Sequence, residues 1–342
     1  MTLCVERHDP TSTGDVVKVL NVGFVGTDEY ARSIAKKSDS RDVDSYVHKE
    51  TVEEGARVLS ILRPLKHPES IRPLLSVLNV SRVGLIEVTK IDAALGECLV
   101  AFGCAGIERG IVLINPEEGE WVDPEQVRML LPQAGLDWEV MESPPEPHEI
   151  RDSLFEMSEE EAIGRPLVVP LEQQFNVQGI GIVGIGYVQS GTIKKHDEVE
   201  ELPGGNSAIV RSLQVMDDDV EQANSGDRVG IAFRGLKEGA LEKGSVIIHK
   251  GCDSVTAHSS STGSLSKAPF QKRGVSDGDV IHASIDMQFR VGRVEDVSGE
   301  IIRISWESPL LVREGRESRV ILVQLDALPM RVIGSLSALS PA

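Results

Sequence analysis

Residues 170–191 read PLEQQFNVQGIGIVGIGYVQSG. Runs rich in isoleucine, valine, phenylalanine and tyrosine favour extended backbone, and the closely spaced glycines punctuate them into short pieces. The stretch therefore reads as strand, turn and strand. The pattern continues downstream through DEVEEL, AIVRSLQV, DRVGIAFRG and GSVIIH. Strands recurring every roughly 8–12 residues without intervening helices predict a closed barrel or sandwich. A second all-β stretch follows from Ser254, with SVTAHSSS, DVIHASIDMQF, RVGRVEDV, EIIRISWES, RVILVQL and MRVIGSLSAL. Its HSSSTGS run has the composition of a linker, but the strands after it need a first partner, so we read it as strand and then loop.

Upstream the pattern is different. VKVLNVGFVG, beginning at Val17, is a short apolar run ending in glycine, which reads as a buried strand entering a turn. YARSIAKK after it has helical character. RVGLIEV (82–88) and GIVLIN (110–115) are apolar strands with ALGECLVAFGCAGIERG as a helix between them. A further helix is expected at about 123–131, then one more strand. Strands alternating with helices imply a parallel α/β sheet. The proline-rich acidic ESPPEPHE then reads as the exit from this domain. The expected division is a polar segment 1–16, an α/β domain 17–150, a β-barrel 165–250 and a second β-barrel 251–342.

Composition limits function. Net charge is −19, and it concentrates at −15 in residues 1–164 against −4 in residues 165–342. An acidic first part repels phosphate, so any RNA surface is expected in the barrels. Aromatic residues are 4%, which argues against base-stacking platforms. The four cysteines lack CxxC spacing and the eight histidines lack HxxxH or HExxH spacing. Buried reduced thiols and no metal site are expected. No apolar run approaches the roughly 20 residues that span a bilayer, and no signal peptide is evident, so a cytoplasmic location is expected.

The segment 170–191 resembles the opening of the second domain in translational GTPases of the elongation factor Tu, elongation factor 1-alpha and selenocysteine-factor group. The matching residues are Pro170, Glu172, Phe175, Gly179, Gly181, Gly186, Val188 and Gly191. DRVGIAFRGLKEGALEKGSVI, SPLLVREG and RVIGSL extend the likeness to the C-terminus. The resemblance implies a P-loop GTPase-like α/β domain followed by two β-barrels.

Carried back to the start, it aligns NVGFVG with the family's phosphate loop. A working loop reads GxxxxGK[ST], with backbone N–H groups around the phosphates and a lysine on the terminal ones. That register puts Gly26, Ala31, Arg32 and Ser33 in its key places. Ala31 for glycine adds a Cβ against the phosphate, and Arg32 is a planar fork in place of a compact ammonium. The family's Asp-x-Pro-Gly-His becomes RPLKH, so Arg63 and Lys66 replace aspartate and glycine while His67 remains. Asn-Lys-x-Asp becomes NPEE, with Asn115 kept, Pro116 for lysine and Glu118 for the guanine-reading aspartate. Three motifs damaged together imply a pseudo-GTPase that uses neither GTP nor magnesium. Arg32, Arg63 and Lys66 are then read either as salt-bridged to nearby acids or as filling the empty pocket.

In the barrels, the resemblance implies a pocket for the aminoacyl end of tRNA at Glu172, Gln173, Phe175 and Ile182. Its alternative is a core phenylalanine beside a rim glutamate. Arg290, Arg293 and Arg331 are candidate RNA contacts, since arginine suits phosphate. The implied partners are tRNA, the ribosome or another translation factor, with no DNA and no membrane. The competing readings are a protein-interaction scaffold docking through the acidic domain, and a divergent active GTP-binding elongation factor.

Overall fold

The computed structural model describes residues 16–52, 55–158, 164–313 and 319–342, and side chains from residue 18 onward. The first domain opens with β1 (Val16–Val25), α1 (Asp28–Ile34), β2 (Lys36–Ser40), β3 (Val43–Val52) and β4 (Gly55–Pro64). It continues through α2 (Arg72–Leu78), β5 (Val83–Val88), α3 (Ala93–Ala105), β6 (Gly110–Ile114), α4 (Pro124–Gln133), β7 (Glu139–Met141) and α5 (Pro147–Glu156). The strands form one sheet in the order β2-β3-β4-β1-β5-β6-β7, parallel from β4 to β7, with β2 and β3 added antiparallel.

Strands β5 and β6 are buried along their whole length, as sequences that are apolar but for Glu87 require of central parallel strands. Gly84 and Gly110 lie side by side under the Trp138 ring, where a Cβ on either would come within 2.0 and 2.5 Å of it. Helices α1 and α5 cover one face, burying Tyr30, Ile34, Ile150 and Leu154 against Leu20, Phe24 and Leu85. Helices α2 to α4 cover the other face.

Three expectations need correction here. The domain does not end at 150: ESPPEPHE starts a helix, with Pro147 in its first turn and the Glu149 carboxylate accepting from the Glu146 N–H at 2.9 Å. Proline and acid suit a helix start as well as a linker. YARSIAKK is also only half helical, since Lys36 and Lys37 belong to β2. Finally, Cys98 and Cys104 are buried free thiols as expected, but Cys252 is in a disulfide. Cys4 and the segment 1–15 lie outside the described residues.

The second domain comprises β8 (Val169–Val177), β9 (Gly181–Tyr187), β10 (Thr192–Lys194), β11 (Glu198–Leu202), β12 (Asn206–Val215), β13 (Asp218–Val220), β14 (Gln222–Asn224), β15 (Arg228–Arg234) and β16 (Val246–His249). The order β11-β16-β8-β9-β15-β12 closes on itself through β11–β12, making a six-stranded barrel around Leu171, Val210, Ile231 and Ile247. The third domain comprises β17 (Val255–Lys267), β18 (Val280–Ile285), β19 (Gln288–Ser298), β20 (Ile301–Arg313), β21 (Val320–Val323) and β22 (Val332–Pro341). These also close into a six-stranded barrel, and β17 carries the serine run as strand.

The three units pack on one another. The α2–α4 face buries Ala268, Ile321, Val323 and Val332 of the third domain. Asn21 and Arg82 of the first domain donate to the carbonyls of Gly226 and Gln189 in the second, at 2.8 and 2.7 Å.

Candidate functional site

In open parallel sheets, ligands bind at the C-terminal ends of the strands. Here β1, β4, β5 and β6 bring Gly26, Arg63, Glu87 and Asn115 to that edge. Gly26 and Thr27 alone connect β1 to α1. Thr27 caps the helix, its hydroxyl accepting from the Tyr30 N–H at 3.1 Å, and Asp28 and Glu29 follow in the first turn. Caps and acids of this kind start helices. The consequence is that no phosphate loop exists between Gly26 and the helix.

Ala31, Arg32 and Ser33 therefore do not occupy the places that the GxxxxGK[ST] register assigns. They lie inside α1: Ala31 is fully buried in the core, Arg32 points to solvent and pairs with Asp28, and the Ser33 hydroxyl donates to the Tyr30 carbonyl.

The space beside Thr27 holds a carboxylate. Glu87, buried at the end of β5, accepts from the Thr27 N–H at 2.6 Å and the Thr27 hydroxyl at 2.7 Å through one oxygen. Its other oxygen accepts from the Asn115 amide at 2.6 Å. Glycine is required at 26 because a Cβ there would lie 2.7 Å from that carboxylate and 2.4 Å from the Phe24 ring. The Arg63 Nε donates to the Gly26 carbonyl at 2.6 Å, which closes the other side.

A polar network continues from Arg63. Asp44 accepts from Lys37 at 2.7 Å, from Ser40 at 2.6 Å and more weakly from Arg63 at 3.4 Å. Burial pushes the Asp44 carboxyl up, but the Lys37 and Ser40 hydrogen bonds outweigh it and hold it below the ordinary range. Asp28 accepts from Tyr46 and Lys37, and burial together with that bond raises the Tyr46 phenol. Of the three cations read either as salt-bridged or as filling the pocket, Arg63 does both in part, bonding the Gly26 carbonyl and facing Asp44. Arg32 and Lys66 are salt-bridged outside it, to Asp28 and Asp42.

His67 and Glu118 are elsewhere. His67 is buried between Glu97, at 3.2 Å, and the Cys98 thiol, at 3.5 Å. Glu97 also accepts from the Arg331 backbone N–H at 2.8 Å and from its guanidinium, so this cluster joins α3 to the third domain. Burial pushes the Glu97 carboxyl up, but the hydrogen bonds from His67 and Arg331 outweigh it and hold it at about 2. Glu118 is exposed on the loop after β6.

The Thr27 N–H is bound to Glu87, and two residues, Gly26 and Thr27, make up the whole turn from β1 to α1. Among the described residues no group of histidines, cysteines and acids could hold a metal ion. No helix among them is long and apolar enough to cross a membrane.

In the second domain, Gln173 and Phe175 pair with Ile185 and Val183 across the β8–β9 hairpin, while Ile182 pairs with Asn176. Alternation puts Gln173 and Phe175 on the outer face and Ile182 on the inner one, where it packs against the barrel core. Phe175 is 40% exposed, which corrects its reading as core. Glu172 is held by Arg228 at 3.0 Å, and Arg228 reaches on to Asp39 of β2 at 3.4 Å. The four expected pocket residues thus do not converge.

The expected RNA contacts also separate. Arg331 is 5% exposed and committed to Glu97, so it is not an RNA contact. Arg290 is largely covered and pairs with Glu242 at 3.1 Å. Arg293 is exposed and donates to the Gly278 carbonyl at 2.9 Å.

Two signals missed in the sequence mark what matters. A single acid within the apolar run VGLIEV is Glu87. The order Thr-Asp-Glu after Gly26 is a helix start.

The sequence profile of elongation factor Tu domain 2 matches residues 181–248. An uncharacterized protein of Methanocaldococcus jannaschii is 27% identical over 317 residues, 92% of this chain and 98% of its own length. Elongation factor 1-alpha of Methanosarcina barkeri is 37% identical over 84 residues, 25% of this chain and 20% of that factor. Among solved structures, translation elongation factor SelB of Methanococcus maripaludis in complex with the GTP analogue GPPNHP superposes with a TM-score of 0.75 at 18% identity, covering 95% of this chain and 80% of that one. A bacterial selenocysteine-specific elongation factor gives 0.75 at 15%, covering 94% and 58%. The architecture of this chain, an α/β sheet domain followed by two six-stranded barrels, is therefore elongation factor Tu-like.

Proposed function

We propose that this chain is an elongation factor Tu-like translation-factor paralogue that works without a GTP cycle and binds tRNA, the ribosome or another translation component. The observation that carries the reading is Glu87 seated on Thr27. A triphosphate brought to this edge would face a buried carboxylate and would have to displace its three hydrogen bonds without a loop to replace them. The match of the second barrel to elongation factor Tu domain 2 supports the link to translation. A protein-interaction scaffold is the second reading, favoured by the pairing of Arg331 and Arg290 with acids, which removes them from an RNA surface.

The test is affinity for tRNA and for ribosomes at two salt concentrations, with and without millimolar GTP and magnesium. We expect binding that falls steeply with salt, as phosphate contacts require, and that GTP leaves unchanged. No binding to either RNA species would move the assignment to the scaffold. Binding that appears only with GTP would overturn the proposal.

A further inference from the structure

The first domain meets the third barrel along α2. Leu74, Leu75 and Leu78 share a buried cluster with Ile321, Val323 and Val332, and Phe289 packs against it. At the start of α2 the Arg72 guanidinium lies 4.3 Å from the Phe289 ring centre. The His282 ring lies 5.0 Å from the same centre, at an interplanar angle of 26°. Two positions further along β18, and so on the same side of the strand, the Ser284 hydroxyl accepts from the Asn79 amide at 3.0 Å. Asn79 closes α2, so the helix is held at both ends by β18 and β19.

The hold at Arg72 depends on a neutral imidazole. Nδ1 of His282 is buried and has no hydrogen-bond partner among the described residues. A protonated ring carries an N–H on both nitrogens, so it would present a donor where no acceptor lies. It would also bring a second cation to the Phe289 ring that Arg72 already covers. Burial and the Arg72 charge push the imidazole below its ordinary 6.5, and the Val323 backbone and the Glu307 carboxylate of β20 pull the other way without reversing the shift. The residues paired with His282 on β19 and β21 are the uncharged Val291 and Val323, and Arg290 of β19 is committed to Glu242 of the second barrel.

We infer that His282 is a proton-operated release between the first domain and the third barrel: a proton on its ring loosens α2 from β18 and β19 while the barrels stay folded. The neutral ring supports the closed interface fully above about pH 6.5, and that support is lost as pH falls through the lower value the ring has when buried. The other ionic tie between these two domains does not release in this range. Glu97, at about 2, stays ionised, and a proton on His67 would strengthen its pair with Glu97. Asp227 does titrate in the range, at about 6, but it lies at the joint with the second barrel, where its proton relieves a cost. Mild acid therefore weakens one joint of the first domain and not the other.

The test is hydrogen–deuterium exchange of the full chain at about pH 7.5 and about pH 5.5, each rate divided by the intrinsic rate of the same peptide at that pH. Expected is a several-fold loss of protection at the lower pH in residues 72–79 and 280–290, with residues 206–215 of the second barrel unchanged. His282→Phe keeps a ring for the stack and cannot take a proton, so its protection should be equal at both values. Arg72 is exposed, so Arg72→Gln removes the facing cation without altering the barrel, and the loss should shrink. Four results would overturn the inference: equal protection of the wild type at both values, a His282→Phe variant that loosens as the wild type does, an undiminished loss in Arg72→Gln, or a loss shared by residues 206–215, which would mark general acid unfolding.

Discussion

Glu87 and Glu97 are buried carboxylates of the same domain, ten positions apart, and they are satisfied in opposite ways. Glu87 takes neutral donors from its own domain, Thr27 and Asn115, and in doing so occupies the edge where a phosphate would sit. Glu97 takes His67 from its own domain and the Arg331 guanidinium from the third barrel, and in doing so fastens one domain to another. Asp227, at the joint with the second barrel, extends the comparison. Its side chain has the Asn224 N–H, at 2.7 Å, and burial pushes its carboxyl up to about 6. The first carboxylate ties the β1–α1 turn to the ends of β5 and β6, the second holds a domain interface, and the third is under-compensated.

Removing Arg331 should have the largest effect, because it strands Glu97 in a buried interface. Arg331→Ala is expected to cost about 3 kcal/mol or more in chemical unfolding at pH 7. The folded Glu97 carboxyl, at about 2, lies below its ordinary value of 4.5, so its contribution is present above that value and fades as pH falls through it. The variant should accordingly lose stability less steeply than wild type between pH 5 and pH 2. A variant as stable as wild type would place the domain interface elsewhere.

Asp227 should respond in the opposite direction and by less. Its folded value lies above its ordinary 3.8, so the ionised form costs stability, fully above about pH 6 and not at all below about pH 4. Asp227→Asn is expected to gain about 2 kcal/mol at pH 8 and nothing at pH 4, in unfolding curves measured at both. A gain that did not change with pH would assign it to packing and not to charge.

Much of the architecture was legible because it rests on local periodicity. The glycine-punctuated run at 170–191 gave a barrel strand pair, and the mostly apolar runs at 82–88 and 110–115 gave buried parallel strands. The candidate site was legible only as loss of letters. Aligning Gly26 to Ser33 with a phosphate loop counted residues correctly but missed that Thr27 already caps a helix, which moves Ala31 and Arg32 into its body. Arg331 looked like an exposed cation because its partner lies 234 positions away, and no local pattern encodes that pairing. His67 likewise matches the motif letter by position, although its contacts are with Glu97 and Cys98.

The central claim is that Glu87 and the two-residue Gly26–Thr27 turn leave no place for a nucleotide, and thermal unfolding with ligand tests it most directly. A ligand that binds only the folded state at a hundredfold excess over its Kd adds about 2.7 kcal/mol, which is several degrees of melting temperature for a domain. With millimolar GTP or GDP and magnesium, the account predicts the same melting temperature as without ligand. A rise with GTP that ATP does not produce would contradict it.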